Sequence, residues 1–139
     1  MLSILFAKKE DYALCAEFDA HISYEEFLYK VYERRYYILR EGLRPIGVLR
    51  YAMFWDSIPC LTLIFFEEGS RGKGYGRQAM EFWEHEMRVR GYGMLLTTTQ
   101  VDEQAQLFYR RLGYRDCGCM TVDIPRYAQP AELFMVKQL

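Results

Sequence analysis

Ser70-Arg71-Gly72-Lys73-Gly74-Tyr75-Gly76-Arg77 stands between an apolar run at 61–66 and a helix-patterned run from Tyr75 to about Arg90. Strand, glycine-rich turn and helix, in that order, aim backbone N–H groups and a helix N-terminus at one point, an arrangement suited to phosphate. Gly72, Gly74 and Gly76 carry no Cβ, so a ligand can approach the main chain closely. Arg71, Lys73 and Arg77 add positive charge to the same turn. Beside this stands a purely conformational reading, in which the glycines serve only a tight turn.

Known phosphate signatures test the stretch. A P-loop requires Lys and Ser/Thr after its second glycine. Gly69 and Gly74 have the spacing, but Tyr75 and Gly76 follow, so that reading fails. Gly74 to Ala79 fits the dinucleotide pattern G-x-G-x-x-A. That pattern calls for a following strand that ends in an acid, whereas the next strand candidate, 94–100, ends in Thr97-Thr98-Thr99-Gln100. A third pattern, Arg-x-x-Gly-x-Gly, is met by Arg71, Gly74 and Gly76.

Working outward, 3–6 reads as a first strand and 8–18 as a first helix. Ser23 caps a second helix over 24–34, with Glu26 completing a capping box. Strands at 36–41, 46–55 and 60–66, joined by turns at 42–45 and 56–59, make an antiparallel meander. The 46–55 strand is long enough to carry a bulge. The helix behind the glycines has Tyr75, Ala79, Phe82, Trp83 and Met87 on an apolar stripe, and Gln78, Glu81, Glu84, His85 and Arg88 opposite. Glu84 and Arg88 form an i,i+4 pair there, worth ~0.2–0.5 kcal/mol. Gly91 and Gly93 end the helix, and 94–100 returns as a strand parallel to 60–66. Asp102 is expected to N-cap a short helix with Ala105, Phe108, Tyr109 and Leu112 on its stripe and Gly113 as its stop. Strands at 114–122 and 132–138 close the chain, with Pro125 and Pro130 bracketing the connection.

With 139 residues the chain suggests one domain, 1–139, with a sizeable core. A net charge of -1 offers no basic excess for nucleic acid. No apolar stretch is long enough to span a membrane, and the first residues lack the basic region of a signal peptide. Cys15, Cys60, Cys117 and Cys119 show no metal-pair spacing, and they read as reduced thiols of a cytoplasmic protein. No metal is expected.

A second motif, Ala105-Gln106-Leu107-Phe108-Tyr109-Arg110-Arg111-Leu112-Gly113-Tyr114, resembles the A-x-x-F-Y-x-K-x-G-F segment of the GCN5-related N-acetyltransferases (GNAT). In that family Arg-x-x-Gly-x-Gly is the pyrophosphate loop, and the element order matches over nearly the whole chain. The resemblance implies an α/β (α+β layered) GNAT fold. Its mixed, mostly antiparallel twisted sheet of about seven strands would carry four helices, in the order strand, helix, helix, three strands, helix, strand, helix, two strands. It implies acetyl-CoA as co-substrate, in a wedge where the strands ending near Phe66 and Gln100 splay. Main chain at Ile64, Phe65 and Phe66 would pair with pantetheine. Gly72, Gly74, Tyr75 and Gly76 would supply N–H groups to the pyrophosphate, with Arg71, Lys73 and Arg77 around it. Phe108 and the helix it sits on would flank the thioester. The family often has Asn before that helix; here Asp102 stands in the region, and an ionised acid accepts but does not donate.

Acetyl transfer to an amine needs a donor for the carbonyl oxygen, a proton for the leaving thiolate and a neutral amine. By resemblance, a main-chain N–H near Phe66 is the first and Tyr109 the second, since a phenol is protonated at neutral pH. Glu67 and Glu68, of which one should face the cleft, and Asp56 are the candidate bases, with a water chain as the alternative. Asp19, His21, Tyr24, Glu25 and Glu26 lie where the family receives its acceptor, and acid plus aromatic suits a cationic amine. The expected activity is acetylation of a small-molecule or peptide amine by a monomer or homodimer, without nucleic acid or membrane. A non-catalytic acyl-CoA-binding module on the same fold is the alternative.

Overall fold

The computed structural model describes residues 1–139. The elements are β1 (Leu2–Phe6), a 3-10 turn at Lys9–Asp11, α1 (Tyr12–Ala16), α2 (Tyr24–Tyr32), β2 (Tyr36–Glu41), β3 (Arg44–Phe54) and β4 (Ile58–Phe66). A second 3-10 turn at Glu68–Ser70 leads to α3 (Tyr75–Val89), β5 (Met94–Gln100), α4 (Ala105–Arg111), β6 (Arg115–Val122) and β7 (Gln129–Gln138). The seven strands form one sheet in the order β1-β2-β3-β4-β5-β7-β6. β1–β2, β2–β3, β5–β7 and β6–β7 pair antiparallel, while β4–β5 is the expected parallel pair.

The chain divides into two compact units. The first comprises Met1–Ala52 and Thr62–Glu86. Its core gathers Ala7, Cys15, Phe27, Tyr36, Ile38 and Val48, against which Phe18, Leu63 and Phe65 pack. The Phe27 and Tyr36 rings meet edge to face at 5.1 Å, a geometry worth ~0.5–1.5 kcal/mol beyond area burial. Ser23 caps α2, its Oγ accepting from the Glu26 N–H at 3.1 Å. The expected bulge is present: Leu39 faces Gly47 and Arg40 faces Pro45, leaving Ile46 as the extra residue of β3.

The second unit comprises Met53–Leu61 and Met87–Leu139. β5 lies along β7 in continuous register from Met94↔Gln138 to Gln100↔Glu132. Gly91 and Gly113 take φ of 92° and 95° and end α3 and α4, as expected. The Tyr92 N–H reaches Met87 O at 3.1 Å, and the Tyr114 N–H reaches Tyr109 O at 3.1 Å, the long bonds of a glycine-terminated helix.

Several boundaries differ from expectation. The first helix is a 3-10 turn plus a short α1, because the Asp11 carboxylate folds back onto the Lys8 N–H at 2.8 Å. α2 stops at Tyr32, since Arg34 takes φ of 57°. Two turns are shorter than expected. Arg44 and Pro45 belong to β3, Ile58 and Pro59 to β4, and left-handed Gly42, Trp55 and Asp56 do the turning. Pro130 lies inside β7, beside a register irregularity. Glu84 sits not on the polar face of α3 but 4% exposed, because Ala79, Met80, Trp83, Glu84 and Met87 form the buried stripe.

Candidate functional site

In the first unit β4 ends at Phe66, and the 3-10 turn hands the chain to the glycine loop through Ser70 N–H to Glu67 O at 3.0 Å and Arg71 N–H to Glu68 O at 3.2 Å. Gly72 and Gly74 take φ of 77° and 82°, and a Cβ at either would meet nothing within 4 Å. The loop therefore uses these glycines for backbone shape, with open space above it. The first bond into α3 is Gln78 N–H to Gly74 O at 3.1 Å. The N–H groups of Gly72 to Gly76 donate to no protein acceptor. They stand at the positive end of a helix of 15 residues.

The side chains around the loop are more engaged than their charges suggest. Arg71 Nε donates to Phe66 O at 2.8 Å, and its guanidinium lies 5.1 Å from the Phe65 ring centre. It thus covers the last carbonyl of β4 as well as adding charge. Lys73 Nζ lies 3.9 Å from Glu41, and Arg77 pairs with Glu81 at 3.4 Å. The Tyr75 hydroxyl donates to Glu41. Ile64 and Phe65 are half-buried and Phe66 is buried.

The base candidates separate. The Glu67 carboxylate is paired with Arg44 and accepts from Ser70 Oγ at 3.1 Å. Hydrogen bonding from Arg44, chiefly, holds its carboxyl below the usual range. Its N–H is also fixed, to Ile46 O at 2.8 Å. Glu68 is exposed, and Asp56 is exposed in a left-handed turn. Of the residues expected near the acceptor, Asp19 is buried and spoken for: Arg50 Nε at 2.7 Å and the Tyr36 hydroxyl at 2.9 Å both reach its Oδ2. Burial pushes the Tyr36 phenol up, and it carries the Cys15 thiol up to about 12. Tyr24 is exposed, and Tyr29 donates to Glu25 at 3.2 Å.

In the second unit Tyr109 is buried on α4, with ring contacts to Phe108 at 5.4 Å and Tyr114 at 5.9 Å. Burial raises its pKa, with smaller contributions from Glu103 and Cys60, while Thr97 acts the other way. Thr97 Oγ1 is itself buried without a well-formed hydrogen bond. Cys60 and Thr97 belong to the parallel ladder of β4 and β5, at Cys60↔Leu96 and Leu61↔Thr97. The phenol is thus protonated near neutral pH, beside the Thr97 hydroxyl and at the level where the two strands pair.

Asp102 does not cap α4. The helix begins after Gln104, which makes no side-chain cap, and Asp102 is exposed in the preceding turn. Gln106 holds that turn instead, its Nε2 donating to Val101 O at 2.8 Å and Glu103 O at 3.1 Å. No group of three or more His, Cys, Asp or Glu stands close enough to hold a metal ion. No helix is long and apolar enough to cross a membrane.

Reading the sequence missed Glu41, Arg44, Gly47 and Thr97. Only Gly47 carried a signal, a lone glycine inside an apolar run.

The model of the acetyltransferase (GNAT) family matches residues 5–114. Among solved structures, the ribosomal-protein-S18-alanine N-acetyltransferase of Escherichia coli superposes with a TM-score of 0.82 at 18% identity, covering 99% of this chain and 94% of that one. The ribosomal-protein-alanine N-acetyltransferase of Brucella melitensis gives 0.77 at 21%, covering 99% of each chain. YncA of Salmonella typhimurium, a putative acetyltransferase solved with its cofactor acetyl-CoA, gives 0.78 at 18%, covering 99% and 94%. No curated protein sequence matches.

Proposed function

The chain belongs to the GNAT family of acetyltransferases, and from that premise we propose that it moves an acetyl group from acetyl-CoA to the primary amine of a small molecule or peptide. The observation that carries this is the row of unsatisfied N–H groups from Gly72 to Gly76 at the start of α3. A buried helix end without partners would be costly; an exposed one is an anion site.

Bound acetyl-CoA supplies the thioester that the amine attacks. Gly72 to Gly76 hold the diphosphate through main-chain N–H groups, with Lys73 and Arg77 at the rim and Arg71 keeping the end of β4 in place. Main chain at Ile64 to Phe66 pairs with the pantetheine, and a N–H near Phe66 faces the carbonyl oxygen as negative charge builds on it. As the C–N bond forms and the C–S bond breaks, Tyr109 gives its hydroxyl proton to the leaving sulfur. Its pKa lies above the usual tyrosine value, so the phenol is protonated at neutral pH and has a proton to give. Phe108 and Asp102 border the same helix and its preceding turn, at the thioester end. Glu67, committed to Arg44 and Ser70, is the weaker base; the amine proton passes to Glu68 or to water. The protein works in the cytoplasm as one domain over 1–139, alone or as a homodimer, with its four free cysteines reduced.

The test follows free thiol release over an amine panel, with coenzyme A affinity measured in parallel. Tyr109→Phe should lower kcat by about 10²–10⁴-fold while coenzyme A affinity stays within about twofold. A fully active Tyr109→Phe protein would remove the acid assignment. Coenzyme A binding without turnover of any amine by the wild-type protein would favour the non-catalytic alternative.

A further inference from the structure

Glu41 ends β2, 34 residues before Tyr75. Its carboxylate gathers three partners from the loop and the hairpin. Oε2 accepts a hydrogen bond from the Tyr75 hydroxyl, Lys73 Nζ lies 3.9 Å from the same oxygen, and Arg44 reaches Oε1 at 3.4 Å. Arg44 continues to Glu67, and Glu67 accepts from Ser70 Oγ at 3.1 Å. One run of charge-assisted contacts therefore starts at the β2–β3 hairpin and grips the glycine loop at both ends, Ser70 before it and Tyr75 after it. Between those ends stand two glycines at positive φ, the residues with most backbone freedom to lose on ordering. N–H groups converge on an anion only if something outside the loop holds its ends. The Tyr75 ring, 6.3 Å from Phe66, gives the strut an apolar footing as well.

We propose that Glu41 is a positioning residue for the phosphate loop: through the Tyr75 hydroxyl and Lys73 it holds the N–H groups of Gly72 to Gly76 in the arrangement that receives a diphosphate. This rests on the coenzyme reading above. Glu41 touches no ligand; its effect is pre-organisation, which lowers the ordering cost of binding. It also keeps the Lys73 ammonium at the rim of the loop, where an incoming diphosphate competes with one carboxylate for it.

The test uses Tyr75→Phe, which removes a single hydroxyl, with Glu41→Ala, Glu41→Gln and the double variant Glu41→Ala/Tyr75→Phe. Two readouts are needed: amide hydrogen exchange in the free protein at Ser70, Arg71 and Gln78, whose N–H groups bond Glu67 O, Glu68 O and Gly74 O at the two ends of the loop, and coenzyme A affinity by calorimetry. Tyr75→Phe and Glu41→Ala should each speed exchange there by about tenfold and weaken coenzyme A by about three- to tenfold. In the double variant the affinity losses should not multiply, because Glu41→Ala already removes the contact that Tyr75→Phe removes. Glu41→Gln, which still accepts from Tyr75, should lie nearer the wild type. In Glu41→Ala, turnover at saturating acetyl-CoA should change by less than about twofold, placing the effect in KM. Wild-type exchange and affinity in Tyr75→Phe, or single losses that multiply in the double variant, would overturn the proposal. If the wild-type protein does not bind coenzyme A, the coenzyme reading fails, and the exchange comparison still decides whether Glu41 holds the loop.

Discussion

Gly47 shows how much a single hydrogen in place of a side chain can determine. It is buried in β3 next to the bulge, and a Cβ there would overlap the Phe65 carbonyl oxygen and sit 3.1 Å from Phe66 Cα. Both neighbours are backbone, so neither yields by changing a rotamer. Gly47→Ala should therefore cost about 1–3 kcal/mol, as overpacking does, and should weaken coenzyme A because the displaced end of β4 leads into the glycine loop. Gly69→Ala is the contrast: no atom lies within 4 Å of its Cβ position and its φ is not left-handed. Urea unfolding should place that variant within about 0.5 kcal/mol of wild type. A Gly47→Ala protein of wild-type stability would mean that the two strands have slack there. The trace Gly47 leaves in the sequence, a lone glycine inside an apolar run, does not say which strand approaches it. Tyr109 was legible only through the Phe-Tyr motif, since the apolar stripe alone describes an ordinary core tyrosine. Glu41 and Arg44 left no trace, because their partners are distant in sequence and the pattern of a strand end is simply polar.

At the scale of elements, the connection between α1 and α2 is held by a buried ion pair. The Asp19 side chain is 1% exposed and that of Arg50 14%, with Arg50 binding both carboxylate oxygens and donating to Thr62 Oγ1 at 3.0 Å. Removing one member leaves the other charged, buried and unpaired. Asp19→Ala should cost about 3–5 kcal/mol in urea unfolding, and Asp19→Ala/Arg50→Met should recover part of that loss. An Asp19→Ala loss below about 1 kcal/mol would show that water reaches Arg50 freely. Strands 36–41 and 94–100 were readable to the residue, because β-rich apolar runs lay between clear turn signals. The glycine-ended helices were readable too, since φ near 90° at Gly91 and Gly113 is a local requirement. Legibility failed where a bulky residue adopted a left-handed conformation, as at Trp55, or where another side chain took over the task expected of Asp102, as Gln106 does ahead of α4. Glu84 failed for a third reason. Helical periodicity locates a stripe only to within part of a turn, and this one takes in Met80 and Glu84 while Tyr75 and Phe82 stay half-buried.

Across the whole molecule, the carboxylates set how stability responds to acid. Glu41 and Glu67 are held below the usual carboxylate range, the first chiefly by the Tyr75 hydroxyl and the second chiefly by Arg44. A group depressed in the folded state binds its proton more readily when unfolded. Its contribution is complete above the unfolded value of ~4.3 and is lost as pH falls through the folded one. Glu132 shifts the other way, raised first by desolvation and then by the charge of Glu103. Its contribution is complete below ~4.3 and disappears as pH rises through its folded value, so at neutral pH its charge opposes folding. The urea midpoint of the wild-type protein should thus vary little between pH 7 and 5 and fall below ~4.3. Glu67→Gln should lower the midpoint at pH 7 and make the acid limb shallower. Glu132→Gln should raise the midpoint at pH 7, with the gain shrinking to nothing below ~4, where the carboxyl is protonated in both states. A Glu132→Gln gain that persists unchanged at pH 3.5 would mean that the benefit comes from packing and not from the charge.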